Sequence, residues 1–177
     1  MLTKTDIEKY FIAEKQESLV FLIVGIIAIT LALIGLFASK NGIYKGAAIP
    51  LILIALIQIT VGFTIYKRSD ADRTRVVYAY DMAPNDLKSK ELVRMQIVNK
   101  NFVIYRYVEI VLALVGIGLA IFFKPKLGID DNWGSNKFWF GLGIALALQA
   151  LIMLGADYFA EKRALKYTKL LQEFVNK

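Results

Sequence analysis

The chain is predicted to be all-α: a polytopic membrane protein whose four transmembrane helices form one bundle with helical extensions into the cytoplasm. Three observations predict this class. Four apolar runs have the length of a bilayer crossing, basic residues are distributed unevenly around them, and apolar residues recur at helical intervals between them.

The runs are Leu19 to Ala38, Ala47 to Tyr66, Tyr107 to Phe123 and Phe138 to Ala156, nearly half of the 177 residues. A helix rises about 1.5 Å per residue, so about 20 apolar residues cross a hydrocarbon core about 30 Å thick. Lipid offers the backbone no hydrogen-bonding partner, and a helix satisfies its own amides. Composition agrees, at 57% hydrophobic and 21% charged with a mean hydropathy of +0.52. Four spans leave room for little else, so residues 1–177 are expected to form a single membrane domain.

Basic residues orient the spans. Of 22, 17 lie in the N-terminal segment, in residues 67–106 and after the fourth run, against 5 in the other two connections. The positive-inside rule then places both termini and the 67–106 connection in the cytoplasm, and the compact design fits a bacterial inner membrane. Tyr44, Tyr66, Tyr105, Tyr107, Trp133, Trp139, Tyr158 and Phe159 cluster where the runs should meet headgroups. Acids are mixed with the bases throughout, so the net charge of +7 reads as a topological signal toward anionic lipid and not as a nucleic-acid surface.

In chain order, residues 1–18 mix lysines with Asp6, Glu8, Glu14 and Glu17, which argues against a cleavable signal peptide. Ile7, Tyr10, Phe11 and Glu14 suggest a short amphipathic helix there. Ser39-Lys-Asn-Gly42 marks a turn, and Pro50 is expected in the first turn of span two, where its missing N–H is harmless. No breaker follows until Asp81-Met-Ala-Pro-Asn-Asp86, so span two should continue as helix, with Asn85 or Asp86 capping the next one. Leu87, Met95, Val98 and Phe102 then run into span three. Pro125, Gly128 and Gly134 define a short outer loop. Leu165, Tyr167, Leu170, Leu171, Phe174 and Val175 make the tail amphipathic. The apolar residues of these extensions, Val76, Val77, Tyr80, Leu87, Met95, Leu170, Leu171 and Phe174, are expected to form a helical stalk. That packing would leave Arg73, Arg75, Asp86, Lys88, Lys90 and Glu91 outward, with Arg73, Arg75, Tyr80, Asp86 and Lys88 as candidate partner contacts.

Intramembrane polar residues are few. Gln58 and Gln149 are expected to clamp helices together, with a transport path as the alternative reading. At the inner boundary, Arg106 and Glu109 have ion-pair spacing, and Asp157 and Glu161 with Arg163 nearby are expected to staple helix bases. Thr30 and Thr60 can bond back to their own helices. Many glycines and alanines lie in the spans, including the stripe from Gly141 to Ala145, and favour close helix approach. Gly25 and Gly116, like Gln58 and Gln149, are 91 positions apart, a hint that two hairpins are duplicated in parallel.

Chemistry has little to build on. The chain has no cysteine and no histidine, which removes thiolates, disulfides, the commonest metal ligand and the usual neutral-pH base. No nucleophile elbow, zinc or phosphate-loop motif occurs. Asp70-Ala-Asp72 lacks the further acids and glycines of a metal-dependent phosphotransferase and is flanked by Arg68, Arg73 and Arg75. No enzyme activity, metal or cofactor is expected. The expected function is non-catalytic: an integral membrane protein acting through protein contacts, as an oligomeric scaffold or as an accessory or immunity-type subunit. Its expected partners are the lipid bilayer and either further copies of itself or another protein. The alternative is a subunit of a small oligomeric channel or transporter.

Overall fold

The computed structural model describes residues 2–124 and 135–176. These form four long helices and no strand: α1 (Lys4–Ala38), α2 (Gly42–Met82), α3 (Pro84–Phe122) and α4 (Asn136–Val175). Each is long and apolar enough to span a membrane. The outer-loop signals Pro125, Gly128 and Gly134, and Trp133, lie outside the described residues.

All four helices run well past the apolar runs, α1 included, because nothing at the run boundaries stops them. Their starts have local causes. Thr3 and Asp6 form a reciprocal cap: the Asp6 N–H donates to Thr3 Oγ1 at 3.2 Å, and the Thr3 N–H donates to Asp6 Oδ2 at 3.0 Å. Asn41 caps α2 by accepting the Ile43 N–H at 2.9 Å. Ser135 accepts the Phe138 N–H at the start of α4.

Two expectations about these boundaries are corrected. Because α2 opens at Gly42, Pro50 stands in its third turn and is buried there. The Gly46 carbonyl, four residues back, loses its helical donor. Neither Asn85 nor Asp86 caps α3. The break falls at Ala83 (φ −144°, ψ 62°) without a side-chain cap, and Pro84 opens the helix. Proline has no N–H to satisfy and its φ is already helical, so the two polar residues fall inside the first turn. One widened turn follows at Leu87–Glu91, closed by the Leu92 N–H on the Leu87 carbonyl.

The chain divides into two compact units. The polar unit comprises Met1–Val20, Gly62–Arg106 and Ala156–Lys177, about half of the chain. Its core gathers Leu2, Ile7, Tyr10, Phe11, Val76, Ala79, Leu87, Met95, Ala164, Tyr167 and Leu171, with Val77, Tyr80, Val98, Phe102, Leu170 and Phe174 packed around them. The stalk residues thus come together, and α1 supplies a large share of the core. Leu165 is an exception to the expected tail face, being exposed. It is offset from Ala164, Tyr167 and Leu171, which hold the buried side of α4.

The apolar unit comprises Phe21–Val61 and Tyr107–Gly155. Its interior is made of small residues, Ala28, Ala32, Ala48, Ala55, Ala113, Ala145, Ala147 and Ala150 among them, while Ile23, Ile27, Leu31, Leu53, Ile57, Val111 and Ile152 face outward. An apolar exterior of this extent suits lipid and is a liability in water. Small interior residues bring the backbones together. A Cβ on Gly116 would lie 2.5 Å from the Ala147 nitrogen, and one on Gly25 would lie 3.1 Å from the Ala55 carbonyl oxygen. Thr30 and Thr60 bond to the Ile26 and Leu56 carbonyls of their own helices, as expected.

The 91-residue offset is visible in the structure. Gly25 seats α1 on α2, and Gly116 seats α3 on α4. Lys15 of α1 pairs with Asp70 of α2, and Arg106 of α3 pairs with Glu161 of α4; each pair spans 55 residues, and the pairs lie 91 apart. Ser18 and Glu109, Ser69 and Ala160, and Val76 and Tyr167 keep the same spacing and are all buried. Two independent kinds of contact, backbone approach and ion pairing, share one offset, which single-helix periodicity does not produce.

Candidate functional site

The most unusual arrangement in the polar unit is a buried knot of charge to which all four helices contribute. Arg94 donates to both oxygens of Glu91, with Nη2 at 2.7 Å from Oε1 and Nε at 3.0 Å from Oε2. A forked pair of this kind is among the stronger charge-assisted hydrogen bonds. Glu91 is only 1% exposed. Its carboxylate also accepts the Tyr167 hydroxyl at 3.3 Å, and Arg75 stands 3.6 Å away. Tyr167 stacks on Tyr10, with ring centroids 4.3 Å apart, and the Arg94 guanidinium lies over the rings of Phe11 and Tyr10.

Glu14 closes the other side. It accepts from Ser69 Oγ at 3.4 Å and from the Tyr10 hydroxyl at 3.5 Å, with Arg68 at 3.8 Å and Arg94 at 4.0 Å. Burial raises its carboxyl above the usual range, and the attraction of Arg94 and Arg68 only partly offsets that. Burial likewise raises the phenols of Tyr10 and Tyr167, so both remain protonated donors. Burial opposes the charge on Arg94, but the hydrogen bonds and charge of Glu91 outweigh it and hold the guanidinium above its ordinary value.

This knot corrects the expectation that Glu91 faces outward. Sequence carried a signal for its burial: Leu87, Glu91 and Met95 are spaced by four, and all three are buried. Tyr80 also turns inward, stacking on Phe174 and donating its hydroxyl to the Leu2 carbonyl at 3.3 Å. Arg73 and Arg75 pair with Asp70 and Asp72 on their own helix, at 3.5 and 3.0 Å, and Asp86 pairs with Lys90 at 2.9 Å. Lys88 is exposed.

Arg106, Glu161 and Arg163 staple helices at the boundary. Arg106 reaches across to Glu161 of α4, and Glu109 is buried in the apolar unit. Arg163 pairs with Glu17 of α1 through both terminal guanidinium nitrogens. Asp157 lies in the last turns before these staples and is half-buried.

In the apolar unit, Gln58 and Gln149 are 3% and 6% exposed. The carbonyl oxygen of each amide finds no hydrogen-bond partner among the described residues. They stand at similar depth. Gly46 of α2 touches Phe138 of α4, and from that contact Gln58 is 12 residues on and Gln149 is 11. Replacing both with leucine is expected to leave thermal stability in detergent unchanged or raised, because a buried acceptor without a donor costs about 1–3 kcal/mol. A loss of more than about 2 kcal/mol would show that the amides hold helices together after all.

No group of three or more acidic side chains placed to hold a metal ion occurs among the described residues. Comparison with protein-family models, with curated proteins and with solved structures finds no match to this chain. Fold and site define a class, an all-α bundle of four span-length helices with a buried ionic knot in its polar unit.

Proposed function

We propose that this chain is a non-catalytic integral membrane protein that acts through protein contacts on its polar unit, as an oligomeric scaffold or as an accessory or immunity-type subunit. The observation that carries the reading is the polar unit itself. About half of the chain builds a separate apolar core around an ionic knot, far more than connections between spans require. In this reading the polar unit and both termini are cytoplasmic, by the 17-to-5 distribution of basic residues, in a bacterial inner membrane. Arg73, Arg75, Asp86 and Lys88 all keep surface exposure, while Tyr80 is tied to its interior.

The test has two parts. Reporters fused at Lys177 and near Asn85 are expected to read as cytoplasmic and one at Asn132 as external; Asn132 and Lys177 on the same side would overturn the topology. Reversal of Arg73 and Lys88 to glutamate is then expected to weaken capture of the native partner in a salt-sensitive way without changing insertion. Variants that fail to insert or assemble would show that these charges serve topology or packing.

A second reading, a small channel or transporter, draws on the two unpartnered amide oxygens of Gln58 and Gln149. Flux through liposomes that the double leucine variant abolishes, while it still folds, would favour it.

A further inference from the structure

We infer that the apolar unit holds one small uncharged hydrogen-bonding molecule, of the class of water, between Gln58 of α2 and Gln149 of α4. The inference goes beyond the protein-contact reading and does not depend on it. It shares its two residues with the channel reading.

Two buried rows lead to the amides. Gly46, Pro50, Ile54 and Gln58 are spaced by four on α2, and all are buried. Phe138, Gly141, Ala145 and Gln149 are spaced by three, four and four on α4, and all are buried too. The rows meet at their outer ends, where Gly46 lies on the Phe138 backbone and Gly141 on that of Ile43. Pro50, Ile54 and Gln58 are also the equivalents of Gly141, Ala145 and Gln149 at the 91-residue offset. Equivalent rows packed on each other set like against like, so the two amides face one interior from opposite sides. From the outer contact they lie 12 and 11 residues on, about 17 Å along each helix. That is near the middle of a hydrocarbon core about 30 Å thick.

Neither carbonyl oxygen accepts a hydrogen bond from any described residue, so neither amide donates to the other. Both side chains are more than nine-tenths buried. Buried polar groups are paired with protein or with small molecules such as water, and a buried water makes two to four hydrogen bonds. Two unpaired acceptors at one level call for one shared donor. The side chains beside them are small: Ala55 precedes Gln58 by one turn, and Ala145 and Ala150 flank Gln149.

Chemistry sets the class. Each amide brings an acceptor oxygen, a donor NH2 and no charge, which suits a molecule that both donates and accepts. A cation would exchange its hydration for two neutral carbonyl oxygens, and burying a charge costs far more than burying a neutral group. The buried carboxylate of this unit, Glu109, belongs to another seam. It lies in line with Ala113 and Gly116 on α3, the side that Gly116 sets against Gly143 and Ala147 of α4. A molecule held between the amides is immobilised, which offsets part of what its hydrogen bonds return. This agrees with the neutral or raised stability expected of the double leucine variant.

X-ray irradiation converts bound water to hydroxyl radicals, which oxidise the side chains touching it, and mass spectrometry locates the oxidation. The full chain is irradiated in lipid nanodiscs. Ile54 and Leu146, about one turn from Gln58 and Gln149, are expected to oxidise at least fivefold faster than the exposed Ile57 and Leu148 at the same depth. The Gln58→Leu, Gln149→Leu variant should bring both down to the rate of those controls. Gln58→Met and Gln149→Met, close to glutamine in size, should each at least halve the rates and serve if the double variant does not fold. Equal rates at all four positions in the parent overturn the site, as does oxidation that survives the variants. A more than twofold fall in the parent's oxidation in sodium, potassium or ammonium chloride, relative to choline chloride, would reveal a cation and overturn the uncharged class. Hydration without flux would leave the site standing and remove the channel reading.

Discussion

Replacing Arg94 with leucine is expected to destabilise the folded chain by about 3–5 kcal/mol, since it leaves a buried carboxylate with only the more distant Arg75 as counter-charge. Glu91 is 1% exposed and takes both of its oxygens to Arg94. The Arg94→Leu, Glu91→Met double variant should recover much of the loss, because an ion pair replaced whole by apolar groups of similar size is often neutral. Thermal unfolding in detergent of the two variants and the parent decides the matter: a double variant no better than the single would place the energy in packing. Glu14 contributes a pH dependence of definite sign. Its folded-state carboxyl lies above the ordinary value of 4.5, so folding favours the protonated form. That contribution is fully present below the unfolded value and is lost as pH rises through the folded one. Glu14→Gln should therefore flatten the fall in stability across that window, whereas an unchanged profile would assign the dependence to other groups.

Introducing valine at Gly141 or Gly46 is expected to be the most damaging change in the apolar unit. A Cβ at Gly141 would lie 2.0 Å from the Ile43 carbonyl oxygen, and one at Gly46 would lie 1.9 Å from that of Phe138. The obstacle is backbone on both sides, so no rotamer change relieves it, and the cost should reach or exceed the upper end of about 1–3 kcal/mol typical of overpacking. Gly155→Val is the control, since nothing stands within 4 Å of its Cβ position. Equal stability of Gly141→Val and Gly155→Val, measured by thermal unfolding, would refute the close α2–α4 contact. Pro50 adds a reason for glycine at 46: the proline ring crowds the carbonyl four residues earlier, which is that of Gly46.

Sequence by itself determined the four helices, the prolongation of the second, third and fourth beyond their apolar runs and the small-residue packing, because hydropathy and helix breakers act locally. The 91-residue offset was legible from two glycines and two glutamines alone. What sequence left undecided was which polar residues are interior. A glutamate three residues before an arginine reads as a solvated helix pair, and Glu91 with Arg94 has that spacing. Only tertiary structure brings Tyr10, Glu14 and Tyr167 from other helices around them and makes burial of that charge tolerable. The same holds for the boundary charges: Arg106 and Glu161, or Arg163 and Glu17, are far apart in the chain and become partners only when the helices pack. Apolar burial follows from local periodicity, whereas a buried charge depends on counter-charges that the fold alone assembles.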